Sequence, residues 1–158
     1  MRSLAALIII ALLFVKRRKI AGILANQKMR NDAAGLGHFG APRGRRTHQG
    51  LDLLTVPGES VHSPVTGRFI RSGYPYANDG RYRLAVIHGN DGREWKLMYV
   101  QPLATLTPGT AVTAGQKIGT SQDIAAKYGP PMQPHVHVEV RTIVGAALLD
   151  PAPLITLA

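Results

Sequence analysis

The sequence predicts a mainly β fold: a compact antiparallel β domain preceded by one apolar N-terminal helix. Three observations carry this expectation. From about Gly35 onward, short apolar segments alternate with turn signals. The 17 Gly and 11 Pro of the 158-residue chain concentrate between those segments. Helical periodicity is weak throughout the same region. With 45% hydrophobic and 18% charged residues, the chain has enough apolar material to bury a core and is not a disordered basic tail.

The first expected unit is residues 1–30. Residues 4–15 (LAALIIIALLFV) form a continuous apolar run. As a helix the run is about 18 Å long, short of a hydrocarbon thickness of about 30 Å. KRRK follows at once, and no small-x-small cleavage site comes soon after, which argues against a cleaved secretory signal. A membrane anchor through residues 4–15, its Lys and Arg reaching the headgroups, is the expectation. A helix lying on a membrane or partner surface, or buried in an assembly, is the alternative. Ile20, Ile23 and Leu24 share a helical face and extend the expected helix to about Arg30. A linker is expected over 31–36 and the β domain over 37–158. Within it, strands are expected at 50–54, 67–71, 83–88, 94–100, 116–120 and 135–141, separated by VPGES, NDG, GNDG, TPGT and YGPP.

The formal charge is +10, from 19 Lys and Arg against 9 Asp and Glu. Seven of the basic residues, Arg30 included, lie in 1–30, and no acidic residue precedes Asp32. The charge therefore describes attachment more than a phosphate-binding body, and no nucleic-acid partner is expected. With no cysteine, thiol nucleophiles, disulfides and Cys-based metal sites are excluded.

Two histidine clusters carry the chemistry. In HVHVEV the strand period sends His135, His137 and Glu139 to one face and Val136, Val138 and Val140 to the other. Two imidazoles on a half-exposed strand are either decoration or metal ligands. In THQGLDLL, His48 and Asp52 flank Gly50 in a loop entering a strand, where alone they read as a surface His and a turn-capping Asp. Taken together, His48, Asp52 and one of the later pair make the two-His, one-carboxylate set of an open zinc site.

The order GHFGAPRGRRTHQGLDLL, SPVTGRF, LMYVQPL, GQKIGT and PHVHVEV resembles the lysostaphin and LytM family of zinc metallopeptidases, the M23 peptidases, over residues 37–141. The resemblance implies an antiparallel β-sheet groove, zinc held by His48, Asp52 and His137, His135 as catalytic base or transition-state stabiliser, and peptidoglycan peptide as substrate. One residue departs from the pattern. Where members carry a second catalytic His in Y-x-H-L, this chain has Tyr99, Val100, Gln101 and Pro102. Gln101 can hydrogen-bond a zinc-bound water or an oxyanion, and is expected as a transition-state or substrate contact, but it exchanges no proton near neutral pH. HQG-x-D, the YPY segment at 74–76 and HVH resemble the leukocyte-derived chemotaxin branch, which implies an alternative: a zinc-binding module that recognises wall peptide or a protein partner without cutting it.

Further contacts are expected around this set. Tyr99 supplies a hydroxyl to the transition state or is a packed strand aromatic. Arg43, with Arg45 and Arg46, orients a substrate carboxylate or is a solvated loop. His38 touches substrate or an inhibitory segment, and Glu139 is a hydrogen-bond partner of a ligand imidazole. His62 and Trp95 read as structural, His88 as exposed, and Asp150 as fixing a turn. The implied substrate lies outside the cytoplasmic membrane, whereas the basic flank favours an inward body. A virion protein delivering wall cleavage during entry satisfies both; a bacterial envelope protein whose apolar run is an imperfect signal anchor is the other expectation.

Overall fold

The computed structural model describes residues 22–158, so the apolar run 4–15 lies outside the described residues. Among those residues no helix is long and apolar enough to cross a membrane. Two small antiparallel hairpins come first, β1 (Asn31–Asp32) with β2 (Gly35–Leu36) and β3 (Pro42–Arg43) with β4 (Arg46–Thr47). The main sheet takes β5 (Leu51–Leu54), β7 (Gly67–Gly73), β8 (Leu84–Gly89), β9 (Arg93–Met98), β11 (Ala111–Val112), β13 (His135–Thr142) and β14 (Leu148–Leu149). Its order is β11-β7-β8-β9-β13, with β5 and β14 both on the far edge of β13. A smaller sheet, β10-β12-β6, joins Val100–Pro102, Lys117–Ser121 and Ser60–His62. All these pairings are antiparallel. Helix is confined, among the described residues, to α1 (Ala125–Tyr128) and a 3-10 turn at Ala152–Leu154.

Alternation along the strands builds the core. Val136, Val138 and Val140 of β13 point to one side and are fully buried with Leu51, Leu53, Ile87, Trp95 and Leu97. Each such side chain contributes about 1.5–3 kcal/mol of burial. Trp95 is therefore core, with its indole N–H donating to Asp91 at 3.3 Å. At Tyr99 the backbone turns with φ 62°, carrying the chain out of the main sheet into β10. The strand expected over 94–100 is divided there.

The helix expected to continue to Arg30 does not form over 22–30. Ile23 and Leu24 are buried in the core, and the Ile23 carbonyl accepts from His62 N at 2.9 Å. Lys28 O accepts from Leu54 N at 2.8 Å, Met29 bridges Leu53, and Arg30 N donates to Asp52 O at 2.8 Å. The free edge of β5 offers this segment backbone partners that a helix would leave unused. Ile23 and Leu24 thus pack into the same core as the strands. Arg30, whose charge the sequence assigned to the leader, lies inside the fold at 2% exposure.

Candidate metal centre

Register brings the two histidine clusters together. Along β5 and β13, Asp52 faces His137. His48 arrives from the turn after β4, its backbone held by Ala41 O and Gly40 N, each at 2.8 Å. Between His48 and Asp52, a Cβ on Gly50 would lie 2.8 Å from His137 Nε2 and closer still to Val138 O. Only glycine lets the loop approach so closely.

His48, Asp52 and His137 are all buried and offer ligand atoms within 4.8 Å of one another. His48 Nε2 lies 3.1 Å from Asp52 Oδ1 and 3.0 Å from His137 Nδ1, and the latter is 2.8 Å from Asp52 Oδ1. The outer nitrogens each face an oxygen acceptor, which favours a proton on the side away from the trio. His48 Nδ1 donates to His38 O at 2.8 Å, and His137 Nε2 donates to Glu139 Oε1 at 3.4 Å. Two imidazole lone pairs and a carboxylate oxygen then converge with no proton of their own to share. Such a trio can hold a cation among them, and its donors suit zinc with an open position. Without metal a proton takes that place. Burial would lower His137, but hydrogen bonds to Asp52 and Glu139 raise it above the ordinary imidazole value. Burial would raise the Asp52 carboxyl, yet hydrogen bonds from His137 and His48 hold it well below the usual range.

The expected HVHVEV face is real, but it is covered. His135, His137 and Glu139 are 5%, 9% and 6% exposed, where the sequence suggested a half-exposed strand. His135 stands beside the converging trio. Its Nδ1 donates to Gln133 O at 2.7 Å and its Nε2 is 3.7 Å from Asp52 Oδ1. Burial lowers its pKa, so the imidazole is neutral at pH 7. Tyr99 packs edge-on against it at 5.4 Å, with its hydroxyl 2.9 Å from that of Tyr76. Burial pushes the Tyr99 hydroxyl up to about 12. Glu139 also accepts from Lys96 at 2.8 Å; burial would raise it, and bonds from His137 and Lys96 bring it down to about 2.

Of the remaining candidates, Arg43 reaches the trio directly and the others lie farther away or contact it indirectly. The Gln101 side chain is exposed and donates to Pro102 O at 3.4 Å, with no hydrogen bond to the cluster. Arg43 donates to Leu36 O at 2.6 Å and lies 3.6 Å from Asp52 Oδ2. Arg45 and Arg46 are exposed, as is the His38 ring, which donates to Phe39 O while its own carbonyl holds His48. His62 is half-buried in β6, His88 pairs with Glu94 at 3.1 Å, and Asp150 accepts from Ala152 N at the final turn.

Arg30 was missed. Its Nε and Nη2 donate to Asp52 Oδ2 at 3.1 and 3.0 Å, and its Nη1 donates to Asp32 Oδ1 at 2.6 Å. The signal was the R-x-D pair at 30–32, which net-charge counting had assigned to the leader.

The chain is similar to several known proteins. Leukocyte cell-derived chemotaxin-2 of Bos taurus is 32% identical over 119 residues, 75% of this chain and 76% of that one. The catalytic domain of the antimicrobial peptidase lysostaphin from Staphylococcus simulans superposes with a TM-score of 0.58 at 25% identity, over 75% of this chain and 88% of that one. Csd3 of Helicobacter pylori superposes with a TM-score of 0.63 at 23% identity; 88% of this chain is covered, but it spans 33% of Csd3. The family model described as Peptidase family M23 matches residues 46–151, a stretch that runs from just before His48 to just past Asp150. With both histidine clusters inside that match, the chain belongs to peptidase family M23.

Proposed function

We propose that this chain is a zinc-dependent endopeptidase that hydrolyses peptide cross-links of peptidoglycan. The observation that carries the reading is the convergence of His48 Nε2, Asp52 Oδ1 and His137 Nδ1, whose outer N–H groups are already committed elsewhere. These three residues would hold zinc, which when bound supplies a Lewis acid for the scissile carbonyl and for water. His135, neutral and with Nε2 facing the ligand carboxylate, takes up a proton as water adds and returns it to the leaving amine. Tyr99 stays protonated at neutral pH and donates its hydroxyl toward developing negative charge. Arg43, beside Asp52, meets a substrate carboxylate. Attachment through residues 4–15, at a bacterial envelope or a virion membrane, belongs to the same proposal.

A second reading is favoured by Gln101, whose side chain is hydrogen-bonded, among the described residues, to the neighbouring Pro102 carbonyl alone. In that reading the chain is a zinc-stabilised module that binds wall peptide or a protein without cutting. Incubating the zinc-loaded protein with purified peptidoglycan and measuring new amino termini separates the two. Release by the unaltered protein supports the peptidase. Release only after Gln101→His supports the binding module.

A further inference from the structure

We infer that Arg30 and Asp32 form a positioning clamp that holds the ligand Asp52 and the loop carrying His135 in one fixed relation. The inference rests on the metal-site reading above. Arg30 and Asp52 are joined along the backbone as well as through side chains: Arg30 N donates to Asp52 O at 2.8 Å, Gly37 N to Arg30 O at 2.9 Å, and Asp52 N to Gly37 O at 2.9 Å. Two guanidinium N–H groups converge on Oδ2, so Oδ1 alone is left facing His48 and His137. The third arm of the guanidinium holds Asp32 Oδ1, which also accepts from Ala34 N at 2.9 Å. Asp32 Oδ2 in turn accepts from Gln133 N at 3.0 Å, and Gln133 O fixes the His135 ring at 2.7 Å.

An unbroken path of hydrogen bonds therefore runs from Asp52 through Arg30, Asp32 and Gln133 to His135. Arg30 and Asp32 are almost fully enclosed, with side-chain exposures of 2% and 6%. An ion pair that deep is costly to form and costly to break by removing one partner, because a charge is left buried and alone. It is therefore a rigid link rather than a surface ornament. The planar guanidinium can serve three acceptor directions at once, which a lysine ammonium in the same place cannot reproduce with the same geometry. The clamp makes Asp52 a one-oxygen ligand and sets the distance between the metal group and the neutral His135. Both clamp residues lie outside residues 46–151, the stretch that the family model matches.

The test uses the full chain, cobalt(II) as the metal probe, and two variants. Arg30→Lys keeps the buried charge but removes both guanidinium bonds to Oδ2, leaving Arg43 Nη2 at 3.6 Å as its remaining guanidinium neighbour. Asp32→Asn keeps Arg30 on Asp52, but its amide cannot serve every donor that the Asp32 carboxylate serves. For Arg30→Lys the expected result is metal affinity weaker by about 10- to 100-fold in chelator competition, together with fainter visible absorption of the bound cobalt as Oδ2 joins the ligand set. For Asp32→Asn, amide exchange at Gln133 should quicken while the cobalt spectrum keeps its shape. Cobalt affinity and spectrum in Arg30→Lys unchanged from the unaltered chain would overturn the clamp while leaving the metal site standing. Failure of the unaltered chain to take up cobalt would overturn the metal site itself, and the clamp with it.

Discussion

Gly50 is the narrowest point of the site, because its missing side chain is what lets His48 and Asp52 close on His137. Gly50→Ala should push β5 from β13, cost about 1–3 kcal/mol as an overpacked contact, and lower metal affinity in the same step. A thermal melt combined with chelator competition reads both effects. His48→Ala and His137→Ala should abolish tight metal binding. His135→Ala should leave metal content intact, by atomic absorption, and reduce peptide release by roughly 100- to 10,000-fold, the usual contribution of a general base. If His135→Ala lost its metal instead, the assignment of His135 outside the ligand set would be wrong.

At the scale of elements, β13 was legible in the sequence because a two-residue period needs no knowledge of the rest of the fold. Three valines in the core and His135, His137 and Glu139 on the opposite face follow from alternation alone. The loop character of His48 to Asp52 was legible from the surrounding glycines and prolines. What alternation could not show is that the polar face is covered, since its neighbours are distant in sequence: Tyr99 on His135, His48 and Asp52 on His137, and Lys96 on Glu139. Residues 22–30 misled for a related reason. Ile23 and Leu24 fit a helical face, but the pairing edge of β5 is a tertiary partner that local periodicity does not register. Arg30 was hidden by the same counting that correctly located an excess of charge near the N-terminus. Its role depends on Asp52, which is 22 residues away. A chain lacking residues 1–36 should therefore melt well below the full chain, since Ile23 and Leu24 each bring about 1.5–3 kcal/mol of burial and Arg30 holds Asp52. Equal melting temperatures by calorimetry would remove this segment from the folded unit.

For the whole molecule, the charge of +10 no longer describes one property. Part of it, Arg30, is internal and serves the site, while the KRRK run lies outside the described residues. The fold also has a stated alkaline limit. Burial raises the Tyr99 hydroxyl from about 10 to about 12 and raises Tyr76 as well, the latter also through its bonds to Tyr128 and Tyr99. A raised folded-state pKa gives stability that is complete below the unfolded value and lost as pH climbs through the folded one. Melting temperature should therefore fall between about pH 10 and 12, and fall less in Tyr99→Phe.

The measurement that bears most directly on the zinc-peptidase reading is amino-terminus release from purified peptidoglycan by the zinc-loaded full chain, with His135→Ala at equal zinc content as control. Release by the unaltered protein that is absent in the control is the expected result. No release by either protein, with zinc occupancy confirmed, would contradict it.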